Sequence, residues 1–493
     1  MRNAGILMHL TSLPSPYGIG TMGAQAREFV DFLQRAGQSV WQMLPVCPTS
    51  FGDSPYQTFS TFAENPYLID LDLLREDGLL QKGEYEDLPW GSDPSQVDYG
   101  AIYQLRFPVL RKAFARFKKN LPADYDLFCW DQGDWLEDYA LFMALKEAHG
   151  GAPWYQWEDG LKYRWPENIA LAKLKYGDDI YFWKMLQYLF AKQWNELKAY
   201  ANERGIAMFG DLPIYVAMDS ADVWTHPERF ELNERMEPIE VAGCPPDGFT
   251  ADGQLWGNPL YRWDVMEAEG YDWWVRRVGH AFTLFDKVRI DHFRGFESYY
   301  AIPGGDKTAK NGRWRPGPGL SFFRTLEARL GKLDIVAEDL GYLTEAVHQL
   351  VNASGYPGMK LLQFAFDSRE NSDYLPHRYG YHCVVYTGTH DNDTILGWMN
   401  TAPKADVEFA RKYLRLTEEE GANWGMMKSA WATVGDLAIV TMQDLLGLGS
   451  EARMNTPSTA TGNWRWRMLP GQATEALADT IYENMELYRR LVV

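Results

Sequence analysis

The sequence is poor in several things, and each shortage excludes a class of protein. It has only four cysteines in 493 residues, at Cys47, Cys129, Cys244 and Cys383. No two form a Cys-x-x-Cys pair, and four are too few for a disulfide framework in so long a chain. A reducing, cytoplasmic setting is therefore expected. Positive charge is also short: 48 Lys and Arg stand against 67 Asp and Glu, for a net charge of −19. Such a surface repels phosphate backbones and anionic lipid, so neither a nucleic-acid nor a membrane partner is expected. Long apolar runs are missing too. The opening stretch MRNAGILMHLTSLP is broken by His9 and is too short for a signal-peptide core. Nothing later approaches a membrane span.

Aromatic residues are abundant instead, at 15% of the chain with 20 Trp and 28 Tyr. Part of this is core. Aromatic side chains also pair apolar faces with polar edges, which suits the C–H faces and hydroxyl rims of sugars.

Eight β-type runs recur along the chain, at 4–10, 40–46, 206–216, 287–293, 333–341, 358–366, 382–391 and 436–447. Helical patterns such as AQAREFVDFLQRAG and FFRTLEARLG separate most of them. Alternating β and α elements imply parallel strands with crossovers, and eight such units predict a (β/α)8 barrel. The barrel is expected to span 1–493 as one catalytic unit. Residues 70–175 read as a mostly helical insertion, and 220–280 as a loop-rich insertion over the barrel mouth.

Barrel enzymes place their chemistry at the C-terminal ends of the strands. Here those ends carry acids: Asp211 in GDLPIYV, Asp291 in VRIDHFRGF, Glu338 and Asp339 in IVAEDLG, and Asp391 and Asp393 in TGTHDNDT. Crowded carboxylates raise one another's pKa, so their crowding calls for a use. One use is a metal, but no His-x-His pair stands at the first strand, and no metal or organic cofactor is expected. The other is glycoside chemistry by paired carboxylates. Helix caps and loop charges suffice to explain Asp339 or Asp393. They do not suffice for Asp291, Glu338 and Asp391 together. Arg289, two residues before Asp291, should favour the charged form that a nucleophile needs. Burial near other acids should raise Glu338 toward the range of a proton donor.

These segments, together with DSPYQTFSTFAENPYLID, PPDGFTADGQLWGNPLY and GSEARMNTPSTATGNWRWR, resemble glycoside hydrolase family 77, the 4-α-glucanotransferases of the α-amylase clan. The resemblance covers nearly the whole chain. It implies Asp291 as nucleophile, Glu338 as general acid/base and Asp391 as the third acid that stabilises the distorted ring. It further implies sugar contacts from Tyr56, Asp211, Arg289, His292, His390 and Asn463. Asp247, Gln254 and Trp256 would lie on the loop covering the cleft. The resemblance implies the short bacterial form, in which no N-terminal starch-binding extension is expected. The implied substrates are α-1,4-glucans, maltooligosaccharides and glucose. The alternative is an α-amylase-like hydrolase that uses the same acids with water as acceptor.

Overall fold

The computed structural model describes residues 2–246, 251–341 and 343–492. Among them are twelve strands: β1 (Asn3–Leu7), β2 (Val40–Gln42), β3 (Ala207–Leu212), β4 (Glu240–Cys244), β5 (Gln254–Pro259), β6 (Lys287–Ile290), β7 (Ser298–Pro303), β8 (Arg313–Pro316), β9 (Ile335–Ala337), β10 (Gly358–Leu361), β11 (Cys383–Tyr386) and β12 (Leu437–Thr441). Eight of them form one parallel sheet in the order β10-β11-β12-β1-β2-β3-β6-β9. These eight coincide with the eight β-type runs of the sequence.

The two ends of that sheet meet. Ala337 N donates to Pro357 O at 2.9 Å, and Met359 N donates to the Asp339 carboxylate at 2.6 Å. Gly358 permits this approach, because a Cβ there would lie 2.3 Å from that carboxylate. Asp339 is thus a buried acid that ties β9 to β10, rather than the helix cap or loop charge expected of it. The sheet is a nearly closed (β/α)8 barrel with helices outside. The helix Ala24–Arg35 shows how the outer layer is built. Ala26, Phe29, Val30 and Leu33 repeat at helical spacing and are buried against the core.

Between 70 and 175 the chain forms helices Leu71–Glu76, Tyr99–Phe117, Tyr125–Asp131, Leu136–Ala148, Asp159–Lys162 and Pro166–Lys175. Several of these pack on the long helix Gly177–Glu203. Between 220 and 280, where the sequence suggests loops, lie β4 and β5 and the helices Trp263–Ala268 and Asp272–Leu284. β4 and β5 join β7 and β8 in a four-stranded antiparallel sheet of order β5-β4-β7-β8. This sheet flanks the barrel mouth and carries Gln254 and Trp256 on its edge strand. Among the described residues no helix is long and apolar enough to cross a membrane.

Candidate active site

Strand register sets the centre of the site. β3 and β6 pair Asp211 with Arg289 and Leu212 with Ile290. Side chains alternate along a strand, so Arg289 and Asp291 share one face while Val288 and Ile290 take the other. Asp211 lies beside Arg289 on that shared face. One guanidinium nitrogen of Arg289 donates to both Asp211 oxygens, at 2.8 and 2.6 Å. The other lies 2.9 Å from Asp291 Oδ1. Arg289 and Asp211 are buried, whereas the Asp291 side chain remains 29% exposed to the cleft.

Glu338 belongs to the next strand. β6 and β9 pair Ile290 with Ala337, so Asp291 and Glu338 each stand one residue past the same rung. Glu338 grips the turn after β6. Its Oε2 accepts from His292 N at 2.7 Å, its Oε1 from Leu340 N at 2.9 Å, and its backbone oxygen from Phe293 N at 3.1 Å. His292 takes a left-handed backbone, φ 51°, which is uncommon for a residue with a side chain. That turn lets its N–H meet Glu338 while its ring packs edge-on against Trp256, centroids 4.9 Å apart.

The third acid comes from the loop after β11. Asp391 Oδ1 lies 3.2 Å from His390 Nε2 and accepts from Asn455 Nδ2 at 2.6 Å. The His390 ring stacks on Tyr56, centroids 5.1 Å apart, and Trp464 packs against both. Tyr56 Oη donates to Asp211 at 2.7 Å, which links the third acid's surroundings back to Arg289. Asp393, by contrast, accepts from Thr394 N and Ser450 Oγ. It secures its loop, and the N-cap of the following helix is Thr394.

The structure thus brings together Tyr56, Asp211, Arg289, Asp291, His292, Glu338, His390 and Asp391, with Trp256 at their rim. Gln254 accepts from Trp256 Nε1 at 3.1 Å and so steadies that ring. Asn463 makes its contacts within its own loop. Its oxygen accepts from Thr456 N at 2.9 Å, and its nitrogen donates to Thr459 at 3.0 Å. Asp247 lies outside the described residues. Asn455, Arg453 and Trp464 are absent from the sequence-based set, although all three fall within the segment GSEARMNTPSTATGNWRWR. Among the described residues no cluster of three or more His, Cys, Asp or Glu is arranged to hold a metal ion.

Burial dominates the protonation of these groups. It pushes the Asp291 carboxyl up to about 8. Arg289 pulls the other way, and Asp211, Glu338 and Asp391 add to the rise. Arg289 does favour the charged form of Asp291, as expected, but burial outweighs it. Glu338 is raised as well, again chiefly by burial, against the pull of Arg289 and of its two backbone N–H donors. The two acids therefore titrate as a pair that retains a proton near neutral pH. Burial lowers His292 to about 3 and also lowers His390, so both rings are neutral.

Comparison with known proteins identifies the family. The glycoside hydrolase family 77 model, described as 4-alpha-glucanotransferase, matches residues 8–473. A 4-alpha-glucanotransferase of Clostridium butyricum is 48% identical, over 98% of this chain and 100% of that one. One from Thermus thermophilus is 49% identical, over 96% and 95%. The amylomaltase of Streptococcus agalactiae, solved in complex with acarbose, superposes with a TM-score of 0.97 at 42% identity, and each chain is covered completely. The chain belongs to glycoside hydrolase family 77, the 4-alpha-glucanotransferases.

Proposed function

We propose that the enzyme moves α-1,4-glucan segments to the 4-hydroxyl of an acceptor glucan or glucose, by two displacements through a glycosyl ester on Asp291. The observation that carries this reading is the register of β6 and β9. Asp291 and Glu338 follow the same rung of adjacent parallel strands, which run about 4.8 Å apart. Two acids placed side by side at the barrel mouth support the retaining scheme, in which the carboxyls stand about 5–5.5 Å apart.

In the first step the Asp291 carboxylate attacks the anomeric carbon. The glycosidic C–O bond breaks, and Glu338 gives its proton to the departing 4-oxygen. The productive arrangement of the shared proton is thus on Glu338, with the charge of Asp291 held against Arg289. In the second step Glu338 takes the proton of an acceptor 4-hydroxyl. The freed oxygen attacks the same carbon, and Asp291 leaves as a carboxylate. Two inversions give net retention. Asp391 would hold hydroxyls of the distorted ring. Neutral His292 and His390 can exchange hydrogen bonds with the same sugar, and Tyr56 and Trp256 would offer ring faces. The scheme needs no metal or organic cofactor.

We read the whole chain as one catalytic barrel, with 70–175 and 220–280 as insertions around it, working on maltooligosaccharides in the cytoplasm.

Transfer and hydrolysis differ in their bookkeeping of chain ends. Incubated with maltotriose alone, the enzyme should release glucose and build a ladder of longer maltooligosaccharides, with total reducing ends nearly constant. A steady rise in reducing ends without longer products would show a hydrolase. An activated deoxyfluoro donor should leave a glycosyl ester on the peptide that contains Asp291, and a label on any other acid would refute the covalent scheme.

A further inference from the structure

We infer that Asn455 is a positioning residue for Asp391: its side-chain amide fixes one carboxylate oxygen so that the other faces the sugar. This rests on the reading of Asp391 as the third acid. The segment 453–464 folds back over the loop after β11 and is fastened there by the Asn455 main chain and the Arg453 side chain. Asn455 N donates to His390 O at 3.0 Å, and Trp464 N donates to Met454 O at 2.7 Å. Arg453 donates to Asp391 O at 2.6 Å and to Asn455 O at 2.8 Å. None of these bonds uses the Asn455 side chain, so the segment keeps its own anchors when that side chain changes.

The Asn455 amide does something separate. Its Nδ2 reaches Asp391 Oδ1 at 2.6 Å, the same oxygen that faces His390 Nε2 at 3.2 Å. The Asn455 amide thus holds Oδ1 beside that ring, and the Asp391 side chain is still 46% exposed. A carboxylate held by one oxygen has its rotation restrained, which leaves the other oxygen available to a sugar hydroxyl. An acid that must strengthen its grip as the sugar ring flattens depends on such orientation, because contacts specific to the transition state raise kcat rather than lower KM.

The chemistry of this contact offers a test that a merely structural role does not pass. Asn455→Ala removes the donor. Asn455→Asp keeps the shape and sets two carboxyls about 2.6 Å apart. At acidic pH the new carboxyl is protonated and can still donate to Asp391. As pH rises it ionises, repels Asp391 and loses the bond. Steady-state kinetics with maltotriose would be run from pH 4.5 to 8.5 on wild type, both variants and Asp391→Asn, with thermal unfolding in parallel. Asn455→Ala should lower kcat by about ten- to a hundredfold, the range of a hydrogen bond to a charged group, with little change in KM. Asn455→Asp should move the alkaline limb to lower pH, recovering activity on acidification where Asn455→Ala does not. An Asn455→Asp profile parallel to wild type, or an Asn455→Ala kcat within twofold of it, would overturn the proposal while Asp391→Asn remains inactive. An active Asp391→Asn would instead remove the reading on which it rests.

Discussion

Arg289 is shared between Asp211 and Asp291, at 2.6 Å on one side and 2.9 Å on the other. A single buried cation thus braces two acids from neighbouring strands. The planar guanidinium can do this because its two arms point in fixed directions, whereas an ammonium offers one point charge. Asp211 stabilises the buried charge, and Tyr56 stabilises Asp211 through its hydroxyl. The orientation of Asp291, the proposed nucleophile, is therefore braced by a chain of contacts that runs back to Tyr56.

Replacing Arg289 by Lys should keep the charge but lose the two-armed brace. Turnover of maltotriose should fall by about a hundred- to a thousandfold, the range seen when a preorganised donor is lost. Asp211→Asn should cost less, because Arg289 can still face Asp291. Circular dichroism would confirm folding, and kcat/KM for the two variants would rank them. The reverse order would mean that Asp211, not Arg289, orients the nucleophile.

Asp291 and Glu338 should separate by donor chemistry. Asp291→Asn removes the attacking oxygen, so ordinary glucans and activated glycosyl donors alike should be turned over several orders of magnitude more slowly. Glu338→Gln leaves the nucleophile in place, and an activated donor needs no proton for its leaving group. Its first step should proceed, and the labelled ester should accumulate on Asp291. Equal loss with both donor types would remove Glu338 from the proton-donor role.

Tyr56 offers two contacts that substitution can divide. Tyr56→Phe keeps the ring stacked on His390 and loses only the bond to Asp211. A single hydrogen bond predicts a loss in kcat/KM within about tenfold. Tyr56→Ala also removes the ring that supports His390 and faces the cleft, so its loss should be about a hundredfold or more. Equal effects would assign the function of Tyr56 to its hydroxyl.

The barrel is legible because each of its strands is an apolar run that ends in turn or acidic residues. β12, LAIVT, is buried at all five positions, as expected of a strand covered on both faces. The acids stand out for the same reason, since carboxylates directly after such runs need an explanation. The four-stranded sheet is not legible. β5, QLWGNP, contains Gly257 at φ 79° and ends in Pro259, both signals of a loop. Its neighbour β4 pairs next with β7, more than fifty residues further on through the barrel strand β6. The abundant Trp also misleads, because Trp41, Trp154, Trp194, Trp224, Trp274 and Trp431 are wholly buried core. Asn455 sits in an aperiodic loop, and only the return of residues 453–464 over Asp391 reveals its place. The protonation of Asp291 is likewise a property of the assembled cluster. Arg289 is its sequence neighbour, but burial in the assembled site outweighs that pull, and the acids that add to the rise come from β3 and from the strand ends of β9 and β11.

That protonation has a consequence for stability. A carboxyl raised to about 8 in the folded state, from an ordinary 3.8, binds a proton more tightly in the native protein than in the unfolded chain. Between those two values the native state holds more protons, so stability falls as pH rises through the window. The sign is opposite to that of a salt-bridged carboxylate, because here burial and like charge outweigh Arg289. Asp291→Asn removes the titration and much of the repulsion. Its Tm should exceed that of wild type at pH 8, and the gap should narrow as pH falls to about 4 and below, where wild-type Asp291 becomes protonated in both states. Glu338→Gln should move in the same direction, since Glu338 is raised too. Thermal unfolding at several pH values, with wild type and both variants in the same buffers, measures this directly. Curves that run parallel across the range would mean that Asp291 titrates as an ordinary carboxylate, with Arg289 dominating after all. A widening gap at neutral and alkaline pH would show that the enzyme is stabilised by losing the very acid that its chemistry requires.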